Sequence, residues 1–497
     1  MTPIRLMHLL YSPEPGGEEQ SSFNRQKESI VKRATRKLVL ASTLGIAAFV
    51  LLGLGRPAGA VPVFSRKYQT SCQTCHAIFP KLNPFGEAFR LNGYRMPLET
   101  EEQIKQKPVS LGAEAYERIW PAMVYPSDLP AYAPFAMNVK MADVYASSRD
   151  DSGRQITHND FQFPQEANLF SAGTLGKNFS FFGEVTYEER PDGGSDVEIE
   201  HARLDLDSPF GPEHLVNFKI GKFAPDLYDG FQEMWLMTDN GVDTLFAFSP
   251  IGIHGGTGLS EEGPGVSLPD RMRAIEMYGV AAHRLFYTIG YGSPIGPGGP
   301  NDTFGSSSRK DVYARVDYKF GGMGLDGDTT GVTLPPENWR EKSLRVGILG
   351  YSGDGSQVDF DIADDEGNPF KMRDRRYTRV GAYASFYLGD LNIFGVAVHG
   401  TDKLDLRDPD TDVSLETTKR TYDAWFAQAD YVVVPPLQLS LRYENLRVAD
   451  PLTPSVRTLN ANASFLIRAN IKAMIEYNRD LRESQNYTLA AVLRFAY

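Results

Sequence analysis

"TSCQTCHAIFP", residues 70–80, holds both cysteines of a 497-residue chain, three positions apart, with a histidine directly after the second. Two thiols at this spacing can add across the two vinyl groups of one porphyrin. The next residue then carries its imidazole under the iron, so C-x-x-C-H is the attachment motif of a c-type haem. The motif occurs once, so Cys72 and Cys75 are expected to bind one haem covalently, with His76 as its proximal axial ligand. Three other readings use the same side chains. A zinc site needs about four ligands, and no third cysteine or nearby histidine exists to complete one. A thioredoxin-type pair wants a βαβ setting, which the surrounding pattern lacks. A structural disulfide is open to any oxidising compartment but leaves His76 without a task.

The sixth iron ligand is a separate question. In "AIFPKLNPFGEAFRLNGYRMP", Pro84 can open a short helix with Phe85, Ala88, Phe89 and Leu91 on one side. Met96 follows, bounded by Pro97. A thioether there would give His/Met ligation and raise the reduction potential. Met123 or an open position are the alternatives.

Haem attachment of this kind takes place outside the cytoplasm, and the N-terminus agrees. Lys32, Arg33, Arg36 and Lys37 precede the apolar run Leu38 to Leu54, which ends near Ala58-Gly59-Ala60. Basic, apolar and small residues in that order form an export signal, with the mature chain starting near Val61. Residues 1–60 are thus an N-terminal extension and signal peptide. The polar stretch 1–30 leaves Val31 open as another start. The formal net charge is −12, and it becomes more negative without the basic leader. Such a chain is a poor nucleic-acid binder and an attractor of cations.

From about residue 134 the hydrophobic period is two. Leu437, Leu439, Leu441 and Tyr443 share one face, with Gln438, Ser440, Arg442 and Glu444 on the other. Val312, Ala314, Val316 and Tyr318 likewise face away from Arg315, Asp317 and Lys319. Segments of about ten residues, apolar on one face and charged on the other, mark a transmembrane β-barrel. The final segment alternates Tyr487, Leu489, Ala491, Leu493, Phe495 and Tyr497 up to an aromatic last residue, the usual assembly signal of bacterial outer-membrane barrels. Counting back gives about sixteen strands, an even number as such barrels require. Short turns then fall on the periplasmic side, at Gly389-Asp390 and Pro435-Pro436 among others. Polar segments at 148–166, 224–273, 293–309, 354–375 and 403–419 fall outside. Segment 224–273 is apolar enough to fold into the lumen. Residues 321–342 break the rule as a long periplasmic loop, which leaves the count open by two. Acidic clusters at Asp364, Asp365, Glu366 and at Asp408, Asp410, Asp412 lack calcium-loop spacing and read as solvated charge.

The expected architecture is therefore mostly β, an antiparallel, porin-like transmembrane barrel over residues 134–497. A small helical monohaem cytochrome segment and its linker occupy 61–133. Seventy residues are few for burying a macrocycle alone, whereas a sixteen-stranded barrel has an interior wide enough for a plug. The segment is expected in or under the lumen.

This order of parts resembles the fused monohaem outer-membrane cytochrome–porins of iron-oxidising bacteria. The resemblance is carried by residues 62–96, where Cys72, Cys75, His76, Phe79, Pro80, Leu82, Asn83, Phe85, Gly86, Gly93 and Tyr94 match the family's pattern. Over the barrel it is architectural only. The resemblance implies an outer-membrane electron-transfer protein, Fe(II)-oxidising rather than a conventional enzyme. It would take electrons from extracellular Fe(II) or another small reductant to a periplasmic cytochrome or cupredoxin. A solute channel with a haem-bearing, redox-sensing plug is the second reading. A haem peroxidase would need an open distal position with acid–base residues beside it, which Met96 ligation argues against.

Overall fold

The computed structural model describes residues 62–68, 70–97, 134–149, 153–175, 178–189, 194–227, 272–294, 310–353, 359–363, 369–408, 411, 413–449, 455–482 and 485–497. Two short helices come first, α1 (Pro62–Tyr68) and α2 (Pro84–Leu91). The strands follow: β1 (Phe135–Arg149), β2 (Gln155–Leu175), β3 (Phe179–Glu189), β4 (Ser195–Leu206), β5 (Asn217–Phe223), β6 (Met272–Ala281), β7 (Leu285–Pro294), β8 (Asp311–Gly321) and β9 (Glu341–Gly353). After them come β10 (Asp359–Ala363), β11 (Pro369–Gly389), β12 (Leu391–Arg407), β13 (Ser414–Val434), β14 (Leu437–Val448), β15 (Val456–Arg468), β16 (Ile471–Asp480) and β17 (Tyr487–Ala496).

The pairing is antiparallel throughout. β1 closes on β17, with Asn138 opposite Ala496 and Ser147 opposite Tyr487. β9 and β10 share one stave, because β11 pairs with β9 along 377–389 and with β10 along 369–373. The barrel therefore has sixteen staves, as expected from the sequence count.

Some boundaries differ from the expectation. Residues 155–166 belong to β2, paired with β1 up to Arg149, and are no outer loop. The strand passes Pro164 through a bulge between Lys140 and Ala142 of its partner, which absorbs the missing donor. β12 and β13 likewise extend into the expected loop 403–419. The N-terminal signal, Met123, the acidic cluster at 364–366, Asp410, Asp412 and nearly all of loop 224–273 lie outside the described residues.

Alternation decides which side chains face lipid. In β8, Asp311, Tyr313, Arg315, Asp317 and Lys319 are buried within the wall, while Val312, Val316, Tyr318 and Phe320 are exposed on the outside. In β14, Arg442 is 1% exposed and Leu441 is 52% exposed. The outer face also carries Trp425 and Tyr443 towards one rim, and Tyr431 and Phe386 towards the other. Charge inside and an apolar outer band with aromatic girdles invert the pattern of a water-soluble barrel, and suit a wall that meets lipid.

Residues 62–97 pack against inward side chains all round the end that carries the short turns. Val63 meets Ala136 and Ala172, and Phe79 and Ile78 meet Leu466. Leu91 meets Tyr278, Val280, Phe286 and Leu325. Lys67 bonds Thr174, and Arg95 bonds Asp207 at 2.7 Å. The long connection between β8 and β9 now has a physical reason. Its Asp326 carbonyl accepts from Asn92 at 3.0 Å, and its Asn338 donates to the Thr74 carbonyl at 3.1 Å. The loop is long because it reaches back to this segment, and the even count survives it.

Leu441 pairs across from Ala429, midway along the outward row between Trp425 and Tyr431. Leu441→Arg is expected to destabilise the barrel by about 2–4 kcal/mol, measured by urea unfolding from lipid vesicles. Ser440→Ala, one residue away on the lumen side, is expected to cost far less.

Candidate functional site

Ser71 opens a 3-10 turn over Cys72–Thr74, its Oγ accepting from the Gln73 amide at 3.3 Å. The Cys75 and His76 amides both donate to the Cys72 carbonyl, at 3.0 and 2.8 Å. In such a turn, side chains at i and i+3 eclipse, so the two cysteines share a side. Both thiols are free of any disulfide. Burial pushes the Cys75 thiol up to about 12, with Cys72 adding to the shift, so it remains protonated at neutral pH.

The His76 imidazole is committed at one nitrogen. Nδ1 lies 3.0 Å from the Pro80 carbonyl, which can only accept, so Nδ1 carries the proton and donates. With the proton on Nδ1, Nε2 keeps its lone pair. Burial lowers the ring's pKa to about 4, against the raising effect of the hydrogen bonds with Pro80 and Lys81. A neutral ring with a fixed tautomer is what a metal-ligating histidine requires.

The turn is held by the start of α2. Asn83 is its N-cap, the side-chain oxygen accepting from the Gly86 amide at 2.8 Å. The same side chain donates to the Gln73 and Thr74 carbonyls, each at 3.1 Å. The Asn83 amide donates to the Cys75 carbonyl at 2.9 Å. Gly86 lies on that carbonyl so closely that an added Cβ would fall 2.0 Å from the oxygen. Only hydrogen fits there.

Beyond α2 the chain turns back through Gly93 and Tyr94, both with φ of 61°. A Cβ on Gly93 would fall 2.1 Å from the Asp207 carboxylate. The reversal brings Met96 to a cluster of Tyr68, Phe89 and Tyr94, against which Cys75, Phe64 and Phe182 also pack. Phe64 stacks on Tyr94 at 4.8 Å and meets Phe89 edge-on at 5.1 Å. Cys75 and Met96, twenty-one positions apart, thus border one aromatic cluster.

Sequence reasoning placed Phe85, Ala88, Phe89 and Leu91 on the apolar side of α2, but missed its charged pair. Glu87 and Arg90 are both buried. Arg90 holds Glu87 at 2.9 Å and Asp226, just past the end of β5, at 2.9 Å. Arg345 approaches Glu87 at 3.6 Å. Asp226 also bonds Lys219, which reaches Glu276 at 2.8 Å. Burial would raise the Glu87 carboxyl, but Arg90 and Arg345 hold it below the usual carboxylate range. Lys81 was missed as well: it is buried against Asn392 at 2.6 Å, the Asp430 carboxylate and the face of Phe394. The i, i+3 spacing of Glu87 and Arg90 was a visible signal, whereas their partners were not.

The donor set fits a c-type haem in residue type, turn geometry and histidine tautomer. Cys72 and Cys75 would carry the thioethers, His76 Nε2 would face the iron, and Met96 is the thioether nearest in chain and cluster. Among the described residues no three His, Cys, Asp or Glu side chains gather as another metal site.

No protein-family model and no curated protein matches this chain. Solved structures similar to it include a loop L8 deletion mutant of OmpT, an outer membrane protein of Vibrio cholerae, at 12% identity and TM-score 0.44, covering 73% of this chain and 98% of that one. Salmonella typhi OmpF in complex with daunomycin has 11% identity and TM-score 0.45, with 73% and 97% covered. An anion-selective porin from Comamonas acidovorans has 10% identity and TM-score 0.44, with 73% and 98% covered.

A pyridine haemochrome assay is expected to find one covalent haem per chain in the wild type and none in Cys72→Ser or Cys75→Ser. Gly86→Ala is expected to lower the loading severalfold by lifting α2 off the Cys75 carbonyl. Gly350→Ala, where an added Cβ meets nothing within 4 Å, should load as the wild type does.

Proposed function

We propose that the chain is an electron conduit of the bacterial outer membrane, taking electrons from a small extracellular reductant, foremost Fe(II), to a periplasmic cytochrome or cupredoxin. The observation that supports it is the packing of the C-x-x-C-H turn against the inward side chains of a lipid-facing barrel. A hydrocarbon layer is roughly 30 Å thick, too far for a cofactor resting on the periplasmic surface to meet a donor outside. Residues 62–97 are instead enclosed by the barrel wall, where Cys72 and Cys75 would hold the cofactor off that surface.

When bound, haem c supplies one-electron exchange between ferric and ferrous iron at a potential set by its axial ligands. The protein's residues do the rest. Cys72 and Cys75 would hold the group, while His76 and Met96 would ligate its iron. Lys67, Lys81, Arg90 and Arg95 tie the segment to the wall. The cluster of Phe64, Tyr68, Phe89 and Tyr94 excludes water beside Cys75. The net charge of −12 favours a cationic donor.

The polar inner face supports a second reading, a solute channel in which residues 62–97 form a redox-sensing plug. The two part on one experiment. Fe(II) added to intact cells should reduce the haem, more slowly as salt rises, with a Debye length of about 10 Å at 0.1 M. Charge-neutral reductants should be much less affected. Response only to periplasmic reductants, together with free ion conduction by the barrel, would favour the channel.

Met96→Ala should remove the weak far-red sulfur-to-iron band of ferric His/Met haem and lower the potential, because a thioether favours the ferrous state. Absence of that band from the wild type would reject Met96 as a ligand.

A further inference from the structure

On the outer face of β12 to β15, a basic group stands at the rim opposite the short turns. Lys403, Lys419, Arg447 and Arg457 are all exposed. Lys403 lies directly across from Lys419 in the sheet. Like charges so placed, with Cβ atoms about 4.5–5.5 Å apart, destabilise a strand pair. Arg447 lies across from Asp423, and Arg457 across from Asn445. Asp423 is already engaged by His399 at 2.8 Å. Among the described residues, none of the four basic side chains forms an ion pair or a side-chain hydrogen bond.

Their level on the wall is informative. Trp425 and Tyr443, with ring centroids 5.2 Å apart, mark the aromatic girdle. Asp423, the next outward position beyond Trp425, lies level with Arg447, and Lys419 lies two outward steps beyond Asp423. Each such step is about 6–7 Å along a tilted strand. The group therefore covers the depth at which lipid headgroups meet the wall. Across the barrel the same rim carries mixed charge, with Asp160, Glu188 and Glu189 exposed alongside Arg149 and Arg154. There Lys222 is paired with Glu198 at 2.7 Å. Unpaired cations beside lipid, gathered on one flank of a chain with net charge −12, call for an anionic counterpart from the membrane.

We propose that Lys403, Lys419, Arg447 and Arg457 bind the phosphate groups of an anionic glycolipid in the outer leaflet. The proposal rests on the outer-membrane reading above. Phosphate would relieve the Lys403/Lys419 repulsion and give each arginine a bidentate acceptor. Each lysine or arginine near a charged membrane surface contributes roughly a fivefold gain in affinity.

The test is native mass spectrometry of the full-length, haem-loaded protein in neutral detergent. It is titrated with bisphosphorylated lipid A and, separately, with the same glycolipid after dephosphorylation. The wild type should bind the phosphorylated form preferentially, and less tightly as salt rises. Lys403→Gln/Lys419→Gln/Arg447→Gln should weaken that binding by roughly a hundredfold, and Glu189→Gln should not change it. Equal binding of the two glycolipids, or a triple variant that binds as the wild type does, overturns the proposal. Folding of each variant is checked by heat-modifiable mobility after insertion into vesicles. A wild-type chain that does not insert would overturn the membrane reading itself, and this proposal with it. An inserted barrel indifferent to phosphate overturns the glycolipid site alone.

Discussion

A barrel wall that meets lipid on its outside has to carry its polar side chains on its inside, where each charge needs a partner. Arg315 and Asp317 of β8 satisfy one another at 2.8 Å, and Arg345 of β9 joins them. Lys219 of β5 reaches Glu276 of β6 at 2.8 Å. Helix α2 enters this network through Glu87 and Arg90. Burying such groups carries a large desolvation cost, so their worth lies in mutual dependence. Removing one partner of a buried pair costs about 3–5 kcal/mol, because the other is left unmatched.

That dependence explains how so short a segment keeps a defined fold. Residues 62–97 contain fifteen helical residues and one 3-10 turn, too little to enclose a core of their own. The wall supplies what is missing. Leu466 covers Ile78 and Phe79, and Ala469 covers Cys72. Tyr278 and Phe286 cover Leu91. Apolar contact fills the space, and the ion pairs fix orientation. Lys81 shows both, with its ammonium on Asp430 and over the face of Phe394.

Around the cysteines the constraints are local and steric. Asn83 caps α2 and also bonds two carbonyls of the C-x-x-C-H turn. Gly86 allows the helix to rest on the Cys75 carbonyl. Gly93 and Tyr94 reverse the chain so that Met96 meets the rings beside Cys75. The motif is short, but the turn it forms is held by Asn83 and Gly86 after it and by Asn338 of the β8–β9 connection.

The sequence by itself determined whatever depends on period and spacing. Period-two alternation marked the strands of the barrel, because facing lipid or lumen is settled residue by residue along each strand. The spacing of Cys72, Cys75 and His76 carries the proposed haem attachment, because two thiols and an imidazole could serve one porphyrin only at that spacing. Tertiary structure decided what depends on meetings across the chain. The run of β2 from residue 155 rests on its partner β1, since Pro164 and its polar neighbours read locally as loop. The long β8–β9 connection broke the expected pattern of short turns because it serves Asn92 and Thr74, which lie more than two hundred residues away. Glu87 and Arg90 show only their helical spacing in the sequence, and they are buried because Asp226 and Arg345 converge on them. Alternation fixes the face on which a charge lies, while its partner depends on barrel closure, which brings distant strands to one lumen.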